Sequence, residues 1–362
     1  MASTPPAAAQ DRDQQASFRE ARRRGWVIRL LLLALSVAVV VALVRLYRRI
    51  DFDLVWGALG LLEWWHGLVL LGVLVVRQFL NAAPLAVYIR SITLVQALLN
   101  DLSAYSASML APPPSDMVLR VARFKSWGVP VPIAVAGTTV NAMTMFIVRF
   151  GVPLLGFLIV PLTTEDVGWR WADLLSLLVC AALVIGLLLV VRGEQNAATI
   201  GLKLGRVLAR VRRSVDPEAM SQSFRNFQGA IAEGFPRKFP RALAVTLAMV
   251  LVDLAMLTLT IRFLGVDADT LPLGAIAVAF LFAYPLTLFP FQGIGVMDAA
   301  IMAAVVGTAG EAITEPVIAA LLIWRTYTVA GPFLMGLGAL ALWRRTSGPM
   351  LSEDEVSVPP RG

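Results

Sequence analysis

Along its length the chain alternates long apolar runs with short polar ones. The runs cover Trp26 to Val44, His66 to Ile89, Ile92 to Leu110, Pro132 to Val160, Leu174 to Val191, Ala242 to Leu264, Leu271 to Ala309 and Pro316 to Leu342. Unbroken apolar stretches of about 20 residues predict membrane-spanning α-helices. A β-barrel would instead show short segments that alternate residue by residue. Two places break the pattern. Phe289-Pro-Phe-Gln-Gly-Ile-Gly-Val-Met-Asp298 interrupts the run from Leu271 to Ala309 with a proline, two glycines and a carboxylate. The run from Ile92 stops at Ala111-Pro-Pro-Pro-Ser-Asp116, and a short helical piece with Arg120, Arg123 and Lys125 follows. Three prolines in a row cannot continue a helix, since each lacks a donor and clashes with the preceding turn. Ser115 or Asp116 is placed to cap the piece that follows. Irregular backbone survives at bilayer depth only where protein covers it or where it lines a wet cavity.

Charge decides how the runs are threaded. Region 192–241 holds ten Lys/Arg against four acids, which puts it on the cytoplasmic side. Within it, Lys203, Arg206, Arg210 and Arg213 recur at helical spacing around Leu204, Val207, Leu208 and Val211. That pattern predicts an amphipathic helix on the inner leaflet. Asp216-Pro217-Glu218 starts a second helix, with Phe224, Phe227, Ile231 and Phe235 on one face. The loops 161–173, 264–272 and 310–316 are acidic and belong outside: Glu165, Asp166, Asp173, Asp267, Asp269, Glu311 and Glu315 stand against Arg170 alone.

The run 271–309 therefore starts and ends on the same face, and so does 91–131. Each is expected to be a re-entrant hairpin, with turns at Gln292 to Gly295 and Pro112 to Asp116. The predicted fold is an all-α integral membrane protein of about six spans plus two opposed re-entrant hairpins in an inverted repeat. Its parts are a disordered basic N-terminus (1–25), one transmembrane domain (26–345) with cytoplasmic amphipathic helices at about 197–238, and a flexible tail (346–362). Both termini are expected in the cytoplasm, with Arg45, Arg48 and Arg49 the one cluster against this threading. The stretch from Trp26 is too long for a signal-peptide core and no A-x-A site follows it.

Composition narrows the chemistry further. Only 15% of residues are charged and 58% are apolar. The net charge of +7 suits anionic lipid headgroups rather than nucleic acid. One cysteine, Cys180, and one histidine, His66, make neither a disulfide framework nor a metal cluster. No cofactor is expected, there is no nucleotide-binding motif, and no soluble stretch is long enough for a catalytic domain of the usual ~100–150 residues.

Ionisable residues inside the runs are then the candidate binding site, because an intramembrane charge must face protein, water or an anion. Asp298 reads two ways, as a carboxylate paired with an arginine or titrating in transport, and as a first-turn acid satisfying backbone donors. Gly293 and Gly295 permit positive φ and close backbone approach. With Gln292 they stand where exposed N–H groups can cradle a phosphate. Arg325 either pairs statically with Asp253 or Asp298, or offers its planar fork to a phosphate. Arg77 carries the same argument. Asp116 and Arg120 read as a weaker mirror of the second hairpin, with capping as the alternative. Arg149 lies toward the outer end of its helix, where snorkelling suffices to explain it.

The order of these features resembles the lysylphosphatidylglycerol synthase/flippase transmembrane-domain family, over about Trp26 to Arg345. Pro290-Phe-Gln-Gly-Ile-Gly-Val-Met-Asp298 resembles the family's Pro-Gly-Gly-x-Gly-x-x-Glu element, and Arg325 in Leu-Leu-Ile-Trp-Arg-Thr-Tyr resembles its last-helix arginine. The first half departs from the family: Pro112-Pro-Pro-Ser-Asp116 with Arg120 stands where Pro-Gly-Arg-x-Gly-Glu and an arginine are usual, and Thr139-Val-Asn-Ala-Met-Thr144 where an arginine and an acid often fall. The resemblance implies a membrane protein that moves anionic lipids or handles polyprenyl-linked saccharides. The family's synthetic activity belongs to a separate soluble domain, so an enzyme is not expected. The partners it implies are an anionic phospholipid or lipid-linked phosphate, with a homo-oligomer or an envelope-synthesis enzyme as further partners. Two other classes stay open: a proton- or cation-coupled transporter of a soluble solute using Asp298 and Asp253, and a membrane glycosyltransferase.

Overall fold

The apolar runs fold as helices whose ends are set by local chemistry. The computed structural model describes Gly57, Gly60 and residues 62–111, 115–160, 171–211, 216–231 and 234–346, all within one unit, Leu54–Gly362. Among these residues all regular structure is helical. The expected first span at Trp26 to Val44, the N-terminal arginines, the acidic loop after Val160 and the C-terminal tail lie outside them.

Helix α1 (Trp64–Tyr88) is followed by α2 (Leu94–Leu110), which opens with a capping box. Thr93 Oγ1 accepts the Gln96 N–H at 3.2 Å, and Gln96 Oε1 accepts the Thr93 N–H at 2.8 Å. Helix α3 (Ser115–Ser126) folds back along α2. Ser115 does not cap its own helix as expected: its hydroxyl donates backwards to Ala111 O at 3.0 Å, satisfying a carbonyl that α2 leaves free at its end. The long α4 (Val131–Ile159) starts at Pro130 and Pro132, where proline costs no hydrogen bond. Then come α5 (Trp171–Val191), α6 (Glu194–Val211) and α7 (Pro217–Ile231). Asp216 Oδ1 accepts the Glu218 N–H at 2.9 Å to start α7. In α6, Leu204, Val207 and Leu208 are exposed beside exposed Lys203 and Arg206, so its apolar stripe is not packed on the described residues.

Helix α8 (Phe235–Phe263) begins earlier than hydropathy indicates. Gly234 turns into it with φ 73°, and Phe235 stacks on Phe239 within α8 instead of extending the apolar face of α7. Helix α9 (Leu273–Ala283) tightens into a 3-10 segment, Tyr284–Leu288. One turn, α10 (Pro290–Gly293), and the returning α11 (Val296–Ala309) follow. The break thus starts five residues before Phe289. The last apolar run is not one uniform helix: α12 (Thr314–Arg325) passes through a π segment, Thr326–Ala330, into α13 (Gly331–Thr346). A π segment often marks a functional position, and this one begins directly after Arg325.

Four of these stretches are long and apolar enough to cross a membrane: Trp64–Tyr88, Val131–Ile159, Phe235–Phe263 and Glu311–Arg345. The apolar helices Leu175–Val191, Leu273–Leu288 and Val296–Ala309 are shorter. α1 and α8 pack together at the centre, and α4 touches both. The two fold-back units are placed reciprocally. α2 of the first packs on α13, and α9 of the second packs on α4. Both contacts need a small residue. A Cβ on Gly336 would collide with Leu102 O and Ser106 Oγ, and one on Gly156 would meet the Phe282 ring at 3.1 Å. Ser106 Oγ donates to Phe333 O at 2.8 Å across the first of these contacts.

Candidate functional site

The second break is held open by backbone that few residues tolerate. Gln292, Gly293 and Gly295 have φ of 58°, 73° and 82°. A non-glycine residue at positive φ is uncommon, so Gln292 is the strained member. Its carbonyl is thereby aimed at Arg325, whose Nη1 donates to it at 3.1 Å. Gly293 has no room for a side chain, since a Cβ would strike Leu286 O.

Asp298 both caps backbone and pairs with an arginine. Oδ2 accepts the Gly295 N–H at 2.8 Å, closing the start of α11, while Oδ1 accepts Arg325 Nε at 2.6 Å. The Arg325 guanidinium also lies 4.4 Å from the centre of the Trp324 ring. Of the two carboxylates named for Arg325, Asp298 is therefore its partner and Asp253 is not.

Asp253 belongs to Arg77. Arg77 Nη2 donates to Asp253 Oδ2 at 3.1 Å, and Trp324 Nε1 donates to Asp253 Oδ1 at 3.1 Å. This pair joins α1 to α8 with side chains only 9% and 5% exposed. A third pair secures the first fold-back unit. Arg120 Nη2 donates to Asp101 Oδ1 at 2.7 Å, and Asn81 Nδ2 donates to Asp101 Oδ2 at 2.5 Å. Asn100 reinforces it, giving Nδ2–H to Arg120 O at 3.1 Å and accepting from Arg120 Nη1 at 3.3 Å.

These groups surround one cavity of about 240 Å³. Its wall includes Arg77, Asn81, Asp101, Tyr105, Ser108, Asp116, Arg120, Arg149, Tyr284 and Gln292. Asp116 and Gln292 come from the two breaks and lie 176 positions apart in the chain, yet they line the same space. Of the residues singled out in the sequence, Arg77, Asp116, Arg120 and Gln292 face the cavity. Asp253, Asp298 and Arg325 sit in the ion pairs behind it, and Gly293 and Gly295 shape the turn.

Several members went unselected. Asn81 lies four residues after Arg77 on one helical face, a spacing that marks them as neighbours. Asp101 carries a legible signal as a carboxylate within an apolar run. Arg149 was explained away by its position. Nothing in the local sequence distinguishes Tyr105, Tyr284 or Trp324 from membrane-facing aromatics. Among the described residues no group of three His, Cys, Asp or Glu is arranged to hold a metal.

No curated protein sequence matches the chain closely enough to count as a relative. The family model described as the lysylphosphatidylglycerol synthase TM region matches residues 26–336, from before the first described helix to within α13. A match over that much of the sequence, with the broken helix and Arg325 inside it, means that the chain belongs to the lysylphosphatidylglycerol synthase transmembrane-region family.

Proposed function

We propose that this protein carries a phosphate-bearing lipid between the leaflets of the cytoplasmic membrane, holding the headgroup in the cavity between the two breaks. The observation that carries the reading is the meeting of Asp116 and Gln292 at one polar cavity. Polar residues from both fold-back units lining one cavity give a lipid headgroup a polar path. A single charged side chain at the bilayer centre costs at least ~2.5–3.5 kcal/mol on insertion scales, and a bare headgroup faces the same barrier. Guanidiniums lining the cavity offset that cost while the acyl chains stay in lipid; the N–H groups of Gly293 and Gly295, expected to cradle the phosphate, are instead taken by Phe289 O and Asp298 Oδ2. Family membership supports lipid as the cargo.

On this reading the chain crosses the membrane six times, and the fold-back units α2–α3 and α9–α11 are re-entrant hairpins entering from opposite sides. Each leans on a long helix of the other half, α13 and α4, so one half can rock against the other around a fixed site. Both termini and α6–α7 face the cytoplasm, with the exposed apolar stripe of α6 resting on the inner leaflet. Asp253 and Asp298 are each engaged by an arginine, which supports the lipid reading over one in which these carboxylates hold a solute or a cation.

The test is movement of fluorescent phosphatidylglycerol in vesicles containing the purified protein. Wild type is expected to move the lipid, and Arg325→Ala and Asp298→Asn to slow it severely. No movement above protein-free vesicles, together with uptake of a soluble solute or sugar transfer to a polyprenyl phosphate, would overturn the reading.

A further inference from the structure

We propose that Arg149 is the residue that holds the lipid phosphate, and that Asp116 competes with the phosphate for it. This rests on the reading that the cavity takes a phosphate-bearing headgroup, and it names the contact.

Three guanidiniums line the cavity: Arg77, Arg120 and Arg149. Two are already bound, Arg77 to Asp253 and Arg120 to Asp101. Among the described residues, Arg149 has no carboxylate within 4.0 Å, and its buried Nε has no hydrogen-bond partner. The Phe146 ring, 5.4 Å from its guanidinium carbon, covers one side. A cation in that position calls for an anion. The planar fork of arginine suits a phosphate with two parallel N–H···O bonds.

Asp116 is the complementary orphan. It lines the same cavity, and among the described residues its side chain has neither an ion pair nor a hydrogen bond. The second half of the chain shows what such a pair does when closed. There the acid in the first turn of the returning helix, Asp298, is bound to an arginine of the next long helix, Arg325. In the first half, Asp116 lies in the first turn of α3 and Arg149 in the next long helix, α4, with the cavity between them. The cavity is somewhat below the ~300 Å³ at which sites for drug-sized ligands begin, so it admits a headgroup rather than a whole lipid. Phosphate therefore occupies Arg149 while the first hairpin stands off. As α3 closes on α4, Asp116 takes its place and the headgroup leaves.

The full-length chain in dodecyl maltoside micelles, which carry no phosphate, is titrated with fluorescent phosphatidylglycerol, with diacylglycerol as the phosphate-free control and inorganic phosphate as competitor. Movement is measured separately in phosphatidylglycerol vesicles. Arg149→Gln is expected to weaken binding about tenfold or more, the scale of a lost charge-assisted contact, and Arg149→Lys to restore part of it. Asp116→Asn is expected to tighten binding and to slow movement, a split that a merely structural residue would not give. Competition by inorganic phosphate with the same Arg149 dependence keeps the anion site and assigns it to free phosphate. Wild-type affinity in Arg149→Gln, or binding and movement falling in parallel in Asp116→Asn at unchanged Tm, overturns the assignment. Arg149-dependent binding without wild-type movement sinks the transport reading alone.

Discussion

Arg77 and Asp253 meet at 3.1 Å across the packing surface of α1 and α8, although 176 residues separate them in the chain. The bond joins the two halves of the molecule at their centre. Asp253 is also held by the indole of Trp324, the residue before Arg325. The central pair and the second hairpin's pair are thus adjoining parts of one polar core, with the cavity against its first-half side.

Removing one partner of that central pair leaves a buried charge without compensation. Arg77→Ala is expected to cost about 3–5 kcal/mol of stability, whereas Arg77→Met with Asp253→Leu recovers most of the loss. Denaturant or thermal unfolding in detergent measures both. Equal losses in the single and double variants would mean that the pair's packing, not its charge, is what counts.

Gly293→Ala should damage the second turn far more than Gly310→Ala. Both have positive φ, 73° and 87°, and a side chain in such strained backbone costs on the order of 1–3 kcal/mol at either position. Only at Gly293 does the added Cβ also strike backbone, at Leu286 O; around Gly310 the space is open. Folded yield and Tm of the two variants decide the point.

At Gly336 the backbone of α13 presses on Leu102 and Ser106 of α2. Gly336→Val cannot be accommodated without shifting one helix, a type of overpacking that costs about 1–3 kcal/mol. The same variant is expected to slow lipid movement, because it displaces the hairpin that carries Asp116. Gly338→Val, where nothing crowds the position, serves as the comparison.

Ser108 and Gln292 line one cavity from opposite halves of the chain. Ser108→Cys and Gln292→Cys are therefore expected to react with a membrane-impermeant thiol reagent from the same side, and to be protected by the same lipid. The native Cys180 is buried and gives little background. Reaction from opposite sides would separate the two turns and remove the shared site.

Much of this architecture is legible without coordinates. The hydropathy of the runs determined the helices, because apolar residues at that density have no stable place outside a membrane. The triple proline and the Gln292-Gly-Ile-Gly295 stretch located both breaks, because proline and glycine act on the backbone locally. The charge of Asp253, Asp298, Arg77 and Arg325 marked them as needing partners. What the chain alone did not settle was which partner each one has. The cost of an unpaired charge at depth is the same whichever opposite charge relieves it, so Arg325 had two equally suitable carboxylates and Arg77 had none assigned. Only the packing of α1 on α8, and of α11 beside α12, allots Asp253 to Arg77 and Asp298 to Arg325. The same packing brings Arg149 to the cavity and, among the described residues, leaves it without a carboxylate, a relation between distant helices that no local pattern in the sequence encodes.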